Sequence, residues 1–96
     1  MYKDKIIAAI VPCYNEQSQI GIVIKSMPDF IDKIVIIDDY STDNTITTIE
    51  SYISNNSKLV LLKHENNQGV GGAIATGYLW ARDNDIDVAV VMAGDG

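Results

Sequence analysis

Two adjacent carboxylates, Asp38 and Asp39, follow directly on the aliphatic run Ile34-Val35-Ile36-Ile37 and lead into Tyr40-Ser41-Thr42-Asp43. A continuous Ile/Val run is the pattern of a strand buried on both faces, as in a parallel sheet. In open α/β sheets, ligands bind outside the carboxyl ends of the strands, which is where both acids fall. They are therefore placed to hold a ligand. The simpler alternative is that Asp38 caps the turn and Asp39 is solvated. Ser41, Thr42 and Asp43 are candidates for the N-cap of a following helix.

Three further stretches carry chemistry-bearing groups. The loop Val11-Pro12-Cys13-Tyr14-Asn15-Glu16 follows the first apolar run. Tyr14 offers a flat face for a base and Glu16 a carboxylate for hydroxyls; the alternative is a proline turn, an Asn15 cap and a first-turn Glu that favours the helix dipole. Gly69-Val70-Gly71-Gly72 opens a helical segment and could cradle phosphate through its amides. It is not the dinucleotide fingerprint, which follows the first strand, whereas these glycines follow the third. Close packing of helix on sheet, helped by Ala73, Ala75 and Gly77, is the preferred reading for Gly71 and Gly72. Asp95 follows the fourth apolar run and could supply one oxygen ligand to Mg²⁺ or Mn²⁺, ions that keep waters and bind substrate phosphates. His64 has no Cys or His partner at metal-ligand spacing and reads as a surface residue. Cys13 has no His close in sequence to activate it and reads as a packing residue.

The elements that must position these groups alternate. Residues 5–11 form a first strand, ended by Pro12, which cannot donate to a ladder. A helix is expected over residues 16–26, with Ile20, Val23, Ile24 and Met27 on its buried face and Pro28 as its stop. The Asp38-Asp39 strand follows, then a helix over residues 43–53 and a strand over 58–63. A third helix over residues 70–83 turns Val70, Ala73, Ile74, Tyr78 and Ala81 inward, and residues 88–92 form the fourth strand. The order β-α-β-α-β-α-β with short connections implies a parallel sheet with right-handed crossovers.

The chain has 96 residues, room for one domain, with 47% hydrophobic and 21% charged residues. Its net charge of −6 argues against nucleic acid as a partner, because phosphate neutralisation needs clustered Lys and Arg. A nucleotide held by backbone amides or through a metal ion remains compatible. One cysteine allows no internal disulfide, and neither a signal pattern nor a membrane-length apolar run is present, so a cytoplasmic location is expected. Val88-Ala89-Val90-Val91-Met92 runs into Ala93-Gly94-Asp95-Gly96, and the chain is read as the N-terminal portion of a longer protein. Strand 88–92 carries no charge within its run and is expected to mediate self-association as an open edge.

Together these loops resemble the inverting nucleotide-sugar glycosyltransferases of family 2, which have the GT-A fold, and look most like the branch acting on polyprenyl phosphates. The resemblance rests on Pro12-Cys13-Tyr14-Asn15-Glu16, on Asp38-Asp39-Tyr40-Ser41-Thr42-Asp43, on Asn67-Gln68-Gly69 with Ala73 and Gly77, and on Ala93-Gly94-Asp95-Gly96. It implies a Rossmann-like α/β/α fold with strand order 3-2-1-4, residues 1–96 being the nucleotide-sugar-binding N-terminal part. Pro12, Tyr14 and Glu16 would line the nucleotide pocket, with Gly69 beside it. Asp39 would hydrogen-bond the base, typically uracil N3–H, and Asp38 and Ser41 would shape that loop. Asp95 would match the last acid of the family's Asp-x-Asp motif, which binds the metal bridging the diphosphate. Ala93 replaces the first acid of that motif, which puts dependence on Mg or Mn in question. The donor would be a UDP- or GDP-sugar and the acceptor a polyprenyl phosphate or saccharide. Any membrane attachment would come through regions beyond Gly96. The family's catalytic base also lies beyond Gly96, so these residues alone are expected to be inactive. Two alternatives stand beside this: a non-catalytic nucleotide-binding or assembly module, and a related nucleotidyltransferase, which would want a Gly-rich basic loop after the first strand.

Overall fold

The computed structural model describes residues 2–93. Seven elements alternate in the expected order: β1 (Ile7–Cys13), α1 (Ile20–Lys25), β2 (Lys33–Asp38), α2 (Thr45–Ile53), β3 (Leu59–Lys63), α3 (Gly69–Asp83) and β4 (Val88–Val91). The strands are parallel and lie in the order β3-β2-β1-β4. Alternate residues of β1 and β2 supply the two faces of the sheet. Ala9, Val11, Cys13, Ile34 and Ile36 pack in one core with residues of α1 and α2. Ala8, Ile10, Val35 and Ile37 pack in the other, under α3. Both faces being covered explains why the strands read as continuous apolar runs.

β1 does not stop at Pro12 but continues to Cys13, with Pro12 in register with Ile37. Ile10 accepts a bond from Met92 N–H, on the β4 side, whereas Cys13 accepts one from Asp39 N–H, on the β2 side. Pro12, two residues from Ile10, therefore faces the β4 side. The ladder there ends at Ile10–Val91, so the missing N–H costs no strand bond.

The first helix is shorter than expected. α1 begins at Ile20, and Asn15 sits in the left-handed region (φ 52°) rather than at an N-cap. α3 keeps only part of its expected inward face, Ala73 and Ala81. Ala73, Gly77 and Ala81 are its buried residues, while Val70 and Tyr78 are 66% and 46% exposed. The reason is the closeness of α3 to the sheet. A Cβ on Gly77 would collide with Ile10 Cγ2 and come within 3.0 Å of Ile37 Cδ1, so only a small-residue stripe fits there. Gly71 and Gly72 do not serve that packing: a Cβ on Gly71 meets nothing within 4 Å, and the nearest neighbour of one on Gly72 is Gln68, not the sheet.

β4 is an edge strand with Val88, Val90 and Val91 exposed. Among the described residues, no helix is long and apolar enough to cross a membrane.

Candidate functional site

Adjacent parallel strands bring the loops after β1 and β2 side by side, and a polar network staples them. Asp38 is fully buried and accepts from Ser41 N–H (2.9 Å) and Ser41 Oγ (2.6 Å). Ser41 Oγ in turn accepts from Asn15 N–H at 2.9 Å. Asn15 Oδ1 accepts from Thr42 N–H at 2.8 Å, which is what the left-handed turn at Asn15 achieves. Thr45 Oγ1 accepts from Glu16 N–H at 2.9 Å and donates to Asp43 Oδ1, and Gln17 Oε1 accepts from Asn44 N–H at 2.8 Å. Asp38 thus caps its own turn, and the two loops behave as one surface.

Asp39 is buried, not solvated. Its Oδ1 accepts from Gln68 N–H at 2.8 Å and lies 2.8 Å from His64 Nδ1; its Oδ2 accepts from Gly69 N–H at 2.8 Å. Gly69 has φ 79°, which aims the first amides of α3 at the carboxylate. Burial is the largest single influence on this carboxyl and would raise its pKa. The His64 bond, the Gln68 and Gly69 amides and the electrostatic pull of His64 outweigh it and hold the pKa below the ordinary aspartate value. Asp39 is therefore an anion near neutral pH, fixed in direction by the end of β3 and the start of α3.

A cavity of about 370 Å³ opens at this end of the sheet, lined by Pro12, Cys13, Tyr14, Glu16, Asp39, Val70, Ala73 and Ala93. The structure so brings Pro12, Tyr14, Glu16 and Asp39 to one wall. Asp38 and Ser41 lie underneath, as the brace of the two loops, and Gly69 reaches the cavity only through Asp39. Asp95 lies outside the described residues. His64 is the main correction: expected at the surface, its side chain is only 7% exposed and is bonded to Asp39 and Thr76. The available signal was positional, since His64 directly follows the last residue of β3, the strand paired with β2. Nothing in sequence spacing pointed to Thr76.

The Cys13 thiol has its pKa pushed up to about 12, by burial first and then by the charges of Asp38, Glu16 and Asp43. It stays protonated and inert, a packing group in the cavity wall. Among the described residues, no three His, Cys, Asp or Glu side chains converge to hold a metal ion. The described part of the site therefore does not by itself fit a divalent cation, and no chemical step is assigned to one.

Residues 8–96 match the family described as Glycosyl transferase family 2. The chain is 37% identical over 106 aligned positions to the UDP-N-acetylglucosamine–dolichyl-phosphate N-acetylglucosaminyltransferase of Methanococcus voltae, covering 97% of this chain and 42% of that protein. It is 35% identical to the dolichyl-phosphate beta-glucosyltransferase of Dictyostelium discoideum, covering 79% of this chain and 27% of that protein. The chain thus spans less than half the length of either relative. Its fold superposes on a mannosyltransferase from Pyrobaculum calidifontis in complex with GDP-Man and Mn²⁺, with a TM-score of 0.84 and 22% identity, over 98% of this chain and 28% of that one. The four-stranded parallel sheet with its flanking helices is the N-terminal part of the Rossmann-like GT-A fold. With the family match extending over all but its first seven residues, the chain belongs to glycosyl transferase family 2.

Proposed function

We propose that this chain holds the nucleotide of a UDP- or GDP-sugar for a glycosyltransferase whose acceptor is a polyprenyl phosphate or a saccharide. One observation carries the reading. A buried, ionised Asp39 forms part of a cavity wall with Tyr14 and Glu16, and it is held there by three donors. Such a carboxylate is a strong acceptor for a ring N–H of a base, the Tyr14 ring is a surface on which a base can lie, and Glu16 can accept from ribose hydroxyls. The relatives' names support the sugar-nucleotide donor and lipid-phosphate acceptor.

The same proposal gives Asp95 the role of a single protein ligand to Mg²⁺ or Mn²⁺, with the diphosphate completing the coordination. It assigns the general base to none of these 96 residues. It also places the protein in the cytoplasm, at the cytoplasmic face of a membrane. Two copies would pair along the β4 edge, where Val88, Val90 and Val91 are exposed; a monomer at all concentrations in light scattering would exclude that pairing.

Calorimetry with UDP and GDP tests the core of the reading. A charge-assisted bond to a base is worth roughly 1.5–3 kcal/mol, so Asp39→Ala is expected to weaken binding at least ~10-fold and Glu16→Ala less. Tyr14→Ala, at an exposed position, provides a variant without a buried polar group left unpaired. Equal affinity of all three variants and the wild type would remove this cavity from nucleotide binding.

A further inference from the structure

Asp39 is the cavity's anion, yet His64, its nearest side-chain partner, does not line the cavity. His64 Nε2 lies 2.8 Å from Thr76 Oγ1, which lies 3.0 Å from the Gly72 carbonyl inside α3. The hydrogen bonds can be counted atom by atom. Each carboxylate oxygen has two lone pairs. Oδ1 uses both, on His64 and the Gln68 amide, whereas Oδ2 uses one, on the Gly69 amide. One acceptor site is left on Asp39, and it is on Oδ2.

The proton on His64 Nδ1 follows from the partner. An ionised carboxylate can only accept, so Nδ1 must carry a hydrogen. Nε2 then has two satisfied states. If His64 is neutral, Thr76 Oγ1–H donates to Nε2. If His64 is charged, Nε2–H donates to Thr76 Oγ1, whose own hydrogen turns to the Gly72 carbonyl. One hydroxyl rotor accommodates both, and Nδ1–H holds Asp39 in each.

We propose that His64 and Thr76 are positioning residues that fix the Asp39 carboxylate so that its single unused lone pair discriminates between bases. The proposal rests on the nucleotide reading above. A base with a ring N–H, such as uracil, can donate to that lone pair; a bare ring nitrogen, as in cytosine, cannot and is repelled by it. Selection against the wrong base requires a carboxylate that cannot rotate away, and the relay from β3 to α3 supplies that restraint.

The test compares UDP with CDP by calorimetry on the wild type, His64→Phe, Thr76→Val and Thr76→Ser. The wild type is expected to favour UDP by about 10-fold or more. His64→Phe should lower that ratio about 5-fold through UDP alone, with CDP affinity nearly unchanged; Thr76→Val should lower it less, and Thr76→Ser should retain it. Parallel loss of both nucleotides, or an unchanged ratio, would overturn the proposal, since a residue with a merely structural role would not alter discrimination. A second measurement needs neither a variant nor a nucleotide. His64 is the single histidine of the chain, so ring ¹⁵N shifts report its tautomer directly, and a proton on Nδ1 is expected at neutral pH. An Nδ1 without a proton would overturn the relay even if UDP binds. Failure of the wild type to bind UDP, CDP or GDP would instead remove the nucleotide reading, and the discriminating role with it, while the ring shifts still report the relay.

Discussion

The Gly69 amide donates to Oδ2 of Asp39 at 2.8 Å, tying the start of α3 to the end of β2. The bond depends on the left-handed backbone of Gly69, at φ 79°. An added Cβ there meets no atom within 4 Å, so the cost of a side chain is conformational, not steric crowding by neighbours. Gly69→Ala is expected to lower stability by about 1 kcal/mol in urea unfolding with an unchanged m-value. It should also weaken UDP binding, because relaxing the backbone moves the amide off Asp39. A variant as stable as the wild type would show that this backbone is not constrained.

Gly71 and Gly77 occupy the same helix and should respond in opposite directions. Gly77→Ala forces a methyl against Ile10 and Ile37 and is expected to cost about 1–3 kcal/mol. Gly71→Ala enters open space and should gain up to about 1 kcal/mol from helix propensity. Denaturant midpoints of the two variants give the comparison. A neutral Gly77→Ala would mean that α3 stands further from the sheet.

Acid should unfold the protein through two hydrogen-bonded aspartates, the buried Asp39 and the half-buried Asp43. Asp39 and Asp43 both have folded pKa values below the ordinary one; in each, burial pushes upward and hydrogen bonds prevail, from His64, Gln68 and Gly69 for Asp39 and chiefly from Thr45 for Asp43. A depressed folded pKa contributes stability that is complete above the unfolded value of about 3.9 and is lost as pH falls through the folded value. Asp39→Asn removes one of these groups. Its stability should fall less steeply than that of the wild type between about pH 5 and the acid limit of folding. Identical slopes would remove Asp39 from the acid transition.

Much of the fold was legible because apolar runs and glycine-marked turns are local signals. Ile34 to Ile37 announced a doubly buried strand, and the alternation of strands and helices announced the parallel sheet. The start of α1 was not legible, since Asn15 looks like an N-cap and instead turns left-handed to reach the loop after β2. The inward face of α3 was read only in part, with Ala73 and Ala81 right and Gly77 left off it. Hydrophobicity favoured Val70 and Tyr78, but the closeness of Ile10 and Ile37 selects Gly77. Tyr14, Glu16 and Asp39 stood out as candidates because they follow strands one and two, and Pro12 only through the family resemblance. The contacts of His64 with Asp39 and Thr76 could not be read, because β3 lying beside β2 and α3 is a juxtaposition that only the tertiary structure creates.

A nucleotide in the cavity beside Asp39 would shift the backbone amides around it, and amide shift mapping during UDP and GDP titrations reads this without any variant. Perturbations are expected at Cys13, Tyr14, Glu16, Asp39, Gln68, Gly69, Val70 and Ala73, at the carboxyl ends of β1 and β2 and the start of α3. A second hollow lies between Lys25, Met27, Tyr52, Asn55 and Lys58 and serves as the internal control. Perturbations confined to those residues, or none anywhere at millimolar UDP and GDP, would mean that no nucleotide sits beside Asp39.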